Sequence, residues 1–270
     1  MNSILIIGCG HMGSALLNLW SKNKFYKFTV VDPLKYKIIK GKFKHKRIQS
    51  IESVKQIKNT HYFDIVVLAV KPQVIEKVLK EYKFFPFKKT CVLISIMAGK
   101  KIIFLRKLLP NIKQIVRVMP NMPALIGEGV SCLISNNYVS NVNKNKVTKL
   151  FSKVGITVWL NKEREIDIIT AISGSGPGYV FYLIDAMEKA ANNLGLNQKL
   201  NKKIILQTFI GSLKLLQHTN KNAIELANSI AIKGGTTEAG IKIMKKNDVH
   251  KILLKTLLSG YQKTNILNKK

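Results

Sequence analysis

Residues 3–13 read SILIIGCGHMG, a short apolar run that stops at a glycine and continues with two more glycines at fixed spacing. Branched side chains at Ile4, Leu5, Ile6 and Ile7 suit a buried strand. Gly8, Gly10 and Gly13 then match G-x-G-x-x-G, and His11–Ser21 carries the spacing of a helix. The hexapeptide alone is weak evidence. Between a strand and a helix it points to a turn that binds a dinucleotide. Gly8 allows the tight turn, Gly10 the approach of a pyrophosphate, and Gly13 the close packing of helix on strand. His11 and Met12 lie inside the fingerprint and join the cofactor-binding positions, the imidazole of His11 itself being structural.

A second strand, KFTVVD, ends at Asp32, nineteen residues beyond Gly13. There an acid accepts hydrogen bonds from a ribose 2′-hydroxyl. Its charge favours NADH, whereas Lys35 and Lys37 just beyond it offset repulsion of a 2′-phosphate, so NADH and NADPH both stay open. Further buried strands are expected at Phe63–Val70, Cys91–Ile96, Gln114–Pro120, Gly129–Ser135 and Gly155–Leu160. Helices are expected at Pro72–Glu81, Gly99–Leu109 and Val142–Lys153. This alternation implies an open, mostly parallel sheet with helices on both faces, an α/β fold. Ala69, Val70, Lys71 and Pro72 leave the third apolar strand at its carboxyl end, where ligands bind such sheets; Lys71 serves the cofactor or simply faces solvent.

From Glu163 the pattern changes. Glu163–Ile172, Tyr179–Leu194, Gln198–Gln217, Ala223–Ile230, Thr237–Lys246 and Val249–Tyr261 all show helical spacing. Two domains follow: residues 1–161, which bind the dinucleotide, and residues 162–270, all helical. Lys263–Lys270 is expected to fray. Cys9, Cys91 and Cys132 show no metal spacing, and no metal is expected; Cys91 and Cys132 sit in apolar runs as buried free thiols. No apolar run is long enough to span a bilayer, and no basic segment precedes the first strand, so a cytoplasmic protein is expected. The net charge of +31 raises a nucleic-acid partner. The lysines are spread along the chain, aromatic residues are not interleaved with them, and arginine is scarce, so a solvated surface is the preferred reading.

The octapeptide KGGTTEAG, Lys233–Gly240, places two glycines and two hydroxyls where a helix begins. A helix start has unpaired N–H donors and partial positive charge, and so suits an anion. The alternative is an ordinary cap by Thr236 or Thr237. The turn MPN, Met119–Asn121, follows a strand on the ligand side, and SGSGPG, Ser173–Gly178, interrupts a helix with small residues.

Taken in order, GCGHMGSAL, LAVKPQ, SIMAG, RVMPNMPALIGEG, SGSGPGYVF and KGGTTEAG resemble the pyrroline-5-carboxylate reductase family over residues 3–261. The resemblance implies a Rossmann-like domain, an all-α dimerisation domain, a homodimer or a ring of dimers, and NAD(P)H-dependent reduction of 1-pyrroline-5-carboxylate to L-proline. It also implies that Gly234, Gly235 and Thr236 hold the substrate carboxylate through backbone N–H groups. Thr237, the catalytic candidate, hydrogen-bonds the ring nitrogen. Asn121, Ser175 and Gly176 lie near the substrate, and Pro120 and Asn121 border the nicotinamide. The chain departs from the family at Met122, where threonine is usual, at Ile232 and Lys233, where Ser-Pro is usual, and at Gly178, where alanine is usual. A β-hydroxyacid dehydrogenase is the nearest alternative. That class uses a lysine shortly after its second glycine-rich segment, and here none occurs between Gly178 and Lys189.

Overall fold

The computed structural model describes residues 2–43, 47–57 and 63–269. The chain divides into two compact units, residues 1–175 with 260–270, and residues 176–259.

In the first unit eight strands form one sheet in the order β3-β2-β1-β4-β5-β6-β7-β8. They are β1 Asn2–Ile7, β2 Tyr26–Val31, β3 Ile48–Ile51, β4 Ile65–Leu68, β5 Val92–Ser95, β6 Gln114–Pro120, β7 Gly129–Ser135 and β8 Gly155–Trp159. All pairs are parallel except β6 with β7. The connecting helices are α1 His11–Trp20, α2 Tyr36–Lys42, α3 Ile75–Lys80, α4 Ile102–Leu108 and α5 Asn141–Phe151.

Alternation along the strands splits the core in two. Ile4, Ile6, Val67, Ile94 and Val118 pack towards Leu16 and Trp20 of α1 and Leu150 and Phe151 of α5. Leu5, Ile7, Val66, Leu68 and Leu93 pack towards Ile75 and Leu79 of α3 and Leu105 of α4. Strands covered on both faces read as nearly continuous apolar runs, which is why β1, β4 and β5 stand out in the sequence. β3 and α2 do not: IQSI is short and half polar, and YKIIKGK carries three lysines and a glycine.

After β8 the chain forms α6 Glu165–Ile169, then a π-helical turn over Thr170–Gly174. The Ser175 N–H donates to the Thr170 carbonyl at 2.9 Å, the five-residue step of such a turn. This is the interruption expected at SGSGPG. The remaining helices are α7 Gly176–Asn193, α8 Gln198–His218, α9 Ala223–Ile230, α10 Thr236–Lys246 and α11 Val249–Lys269. The fraying expected from Lys263 onward is not seen as far as Lys269. Helix α11 runs to Lys269 with Thr264 buried, and Lys270 lies outside the described residues.

The unit of residues 176–259 has almost no interior of its own. Asn201 and Ile205 are its buried residues. Phe181, Leu213 and Leu254 are 55%, 57% and 58% exposed. Apolar area on this scale calls for a protein partner.

Candidate functional site

The glycine turn lies at the carboxyl ends of β1 and β4, where the strand order reverses direction, the place such sheets bind ligands. Gly8 has φ +81°, and a Cβ there would sit 2.5 Å from Val70 Cγ1 and 3.1 Å from the Ala69 carbonyl. Only glycine satisfies both constraints. At Gly13 a Cβ would lie 3.0 Å from Ala69 Cβ and 3.2 Å from the Gly8 carbonyl, so this glycine serves the packing of helix on strand. Gly10 differs: a Cβ would meet only Ala69 O, at an ordinary 3.9 Å. Gly10 is also the N-cap of α1, and no side chain caps that helix. The N–H groups of Gly10, His11, Met12 and Gly13 donate no bond among the described residues. Open space beside free, aligned donors fits a pyrophosphate.

Asp32 is 8% exposed, directly after β2. Its Oδ2 accepts from the Cys9 N–H at 2.6 Å, and its Oδ1 from the N–H groups of Leu34 and Lys35 at 3.0 Å each. Burial pushes the Cys9 thiol up to about 11, and the adjacent Asp32 carboxylate acts in the same direction. Lys35 forms the N-cap of α2 without a side-chain bond. Ala69 and Val70 adjoin the glycine turn. Lys71 is exposed, and Pro72 starts a short 3-10 turn.

The MPN and SGSGPG motifs meet. Asn121 is 7% exposed; its Oδ1 accepts from the Val130 N–H at 2.8 Å, and its Nδ2 donates to Ser173 Oγ at 3.4 Å. The Asn121 amide thus ties the end of β6 to the start of β7 and to the π-helical turn. A Cβ at Gly174 would lie 2.8 Å from Met119 Cε, which explains one of the small residues. Gly176 and Gly178 face open space, so packing within this chain explains neither.

Helix α10 is not capped by either threonine. Its N-cap is Gly235, with no side-chain bond, and Thr236 is the first helical residue. Gly234 has φ +78°, and its N–H donates to Glu238 Oε2 at 2.8 Å. That bond, then the Lys242 ammonium, holds the Glu238 carboxyl below the usual range. A Cβ at Gly235 would lie 2.9 Å from the Ile232 carbonyl, so both glycines are demanded by the turn itself. The N–H groups of Thr236, Thr237 and Glu238, and both threonine hydroxyls, have no partner among the described residues. Thr237 is half-buried.

Buried charge at Arg117 went unremarked in the sequence. Its Nη1 donates to Glu163 Oε1 at 2.7 Å, and Nη2 lies 3.9 Å from Asp167 Oδ1. The same Glu163 oxygen accepts from the Ile102 N–H at 2.8 Å, joining β6, α4 and the entry to α6. The only signal available was an arginine inside an otherwise apolar strand. All three cysteines are buried free thiols, including Cys9. Among the described residues no three histidine, cysteine, aspartate or glutamate side chains gather as a metal site, and no helix is long and apolar enough to cross a membrane.

Comparison with known proteins accounts for both halves of the chain. The family described as pyrroline-5-carboxylate reductase dimerisation matches residues 163–267, and that described as NADP oxidoreductase coenzyme F420-dependent matches residues 3–99. The chain is 36% identical over 201 residues to pyrroline-5-carboxylate reductase of Pseudomonas aeruginosa, covering 74% of this chain and 73% of that protein. With the Pasteurella multocida enzyme it shares 30% identity over 272 residues, 99% of this chain and 98% of the other. The crystal structure of Plasmodium falciparum pyrroline carboxylate reductase with NADP bound matches with a TM-score of 0.85 at 30% identity, covering 99% and 98% of the two chains. A dimerisation family over the helical half explains its uncovered apolar surface: the chain is a homodimer. The chain therefore belongs to the pyrroline-5-carboxylate reductase family, oxidoreductases that use NAD(P)H to reduce 1-pyrroline-5-carboxylate to proline in proline biosynthesis.

Proposed function

We propose that the substrate carboxylate binds the free N–H groups at the start of α10 and that the Thr237 hydroxyl bonds the ring nitrogen of the imine. The observation that carries this reading is the uncapped helix: Gly235 takes the cap position, leaving three donors and two hydroxyls without partners among the described residues. An anion there gains from both the donors and the helix dipole. Gly234 and Gly235 shape the turn that presents them, and Ser175 and Gly176 border the same substrate.

NADPH is the favoured reductant in this reading. Its pyrophosphate takes the N–H groups of Gly10, His11, Met12 and Gly13, with Ala69, Val70, Lys71, Pro72, Pro120 and Asn121 along the rest of the cofactor. Lys35 attracts the 2′-phosphate. Support comes from the donors of α1 that have no partner among the described residues, from Lys35 beside the turn, and from the relative whose structure holds NADP. When bound, the cofactor supplies a hydride to the carbon of the C=N bond. A protonated imine is already electrophilic, so the protein's contribution is positioning rather than strong acid–base catalysis. Residues 162–270 serve as the dimerisation and substrate domain, in line with the family match to 163–267. A ring of dimers and a cytoplasmic location follow from the family resemblance alone.

The test is nicotinamide oxidation by the purified, folded protein with 1-pyrroline-5-carboxylate, NADPH and NADH being run in parallel and proline measured as product. Turnover with kcat/KM higher for NADPH is expected; higher kcat/KM for NADH overturns the cofactor assignment. A Thr236→Pro variant, which removes one α10 donor at a position where proline fits a helix, should raise KM for the substrate. An unchanged KM overturns the carboxylate assignment.

A further inference from the structure

We infer that Asp32 is a positioning residue, which straps the glycine turn to the β2–α2 turn and takes no part in choosing between NADH and NADPH. The inference rests on the cofactor reading above. Sequence pattern alone points the other way, since an acid at the end of the second strand is expected to accept the ribose hydroxyls.

The geometry limits what this carboxylate can do. It is 8% exposed and already accepts three backbone N–H groups: Cys9 at 2.6 Å on one oxygen, Leu34 and Lys35 at 3.0 Å on the other. A carboxylate has about four lone-pair directions. A ribose diol offering both hydroxyls needs two of them, and roughly one remains. The backbone of Asp32 is held on both sides. Its N–H donates to the Ile51 carbonyl at 3.2 Å, and its carbonyl accepts from the Tyr36 N–H at 3.0 Å.

The bonds also show what the strap achieves. Cys9 sits between Gly8 and Gly10, so its bond sets the plane of the turn whose next N–H groups face the pyrophosphate. Leu34 and Lys35 lead into α2, whose N-cap residue Lys35 offers no side-chain acceptor of its own. The Asp32 carboxylate fixes the two N–H groups that lead into the helix, and its backbone carbonyl accepts from Tyr36, the first helical residue. Cofactors with and without the 2′-phosphate share the pyrophosphate, so loosening the strap costs both alike.

The experiment measures the Kd of NADPH and of NADH by nicotinamide fluorescence, without substrate, for the wild type, Asp32→Ala and Asp32→Asn. Melting of each apo protein is recorded alongside. The expected result for Asp32→Ala is a Kd about tenfold weaker for both cofactors. Their ratio should stay within roughly threefold of wild type, and the apo melting temperature should fall. Asp32→Asn keeps the oxygen facing Leu34 and Lys35 and loses the acceptor for Cys9. It should fold and show a smaller, again parallel, loss. A tenfold or larger loss confined to NADH in either variant, with NADPH unchanged or tighter, overturns the inference and restores Asp32 as the ribose acceptor. If the folded wild type binds neither nucleotide, the cofactor reading itself fails, and this inference with it.

Discussion

Replacing Thr237 by alanine separates a substrate-binding hydroxyl from an ordinary helix cap, and the structure sets both magnitudes. A lost threonine cap costs about 0.5–2 kcal/mol of stability. Here the cap residue is Gly235, and the Thr237 hydroxyl has no partner among the described residues. Nothing in the folded chain is lost, and alanine inside the first turn of α10 is favoured over threonine by a few tenths of a kcal/mol, roughly. The apo melting temperature should therefore hold or rise by about 1–2 °C. Catalysis should respond differently. A hydrogen bond between a hydroxyl and a charged partner, here the protonated imine, contributes about 1.5–3 kcal/mol. Lost in the transition state, that becomes roughly a ten- to hundredfold fall in kcat. Cofactor affinity should not change. Gly235→Val provides the contrast: its Cβ would press on the Ile232 carbonyl at 2.9 Å, so stability itself should fall. The assay is steady-state nicotinamide oxidation beside thermal melting and cofactor titration. A Thr237→Ala protein with normal kcat and KM would refute the assignment, and a lowered melting temperature with normal kinetics would return the hydroxyl to a capping role.

Arg117→Met should cost about 3 kcal/mol, since it leaves Glu163 and Asp167 without their buried cation, and should lower the melting temperature by roughly 6–12 °C; a shift of under about 2 °C by calorimetry would contradict the network's role. Light scattering at micromolar concentration should give a dimer, and Leu213→Glu on α8 should shift the mass towards a single chain; an unaltered dimer would take that face out of the interface. Burial raises the Cys9 thiol to about 11 and the Cys91 thiol to about 12, from an ordinary 9.0. Folded-state values above unfolded ones mean that this contribution to stability is complete below pH 9 and is lost as pH climbs through the folded values, at up to about 1.4 kcal/mol per pH unit for each thiol. Urea unfolding midpoints at pH 8 and above pH 9 read the loss, and a Cys91→Ala protein with an undiminished slope would remove that thiol as a cause.

The local parts of this protein were legible in its sequence because their causes are local. Apolar runs at Ile4–Ile7, Ile65–Leu68 and Val92–Ser95 mark strands covered on both faces, and Gly8, Gly10 and Gly13 mark the turn between strand and helix. The change at Glu163 from strand periodicity to helical spacing separates an α/β half from a helical one. β3 and α2 escaped notice because they are short and carry polar residues within their apolar pattern. The side-chain partners were settled only by tertiary structure. Asp32 occupies the position of a ribose acceptor, yet its oxygens meet the N–H of Cys9, twenty-three residues away, because β1 and β2 lie side by side in the sheet. Asn121 ends on a turn residue's usual motif, yet its amide is spent on Val130 and Ser173. Thr236 and Thr237 look like caps in the chain, yet after the turn at Gly234 the cap position falls on Gly235, and neither hydroxyl has a partner among the described residues. Spacing along a chain predicts which face a residue occupies; what it touches there depends on which distant segment the fold brings against it.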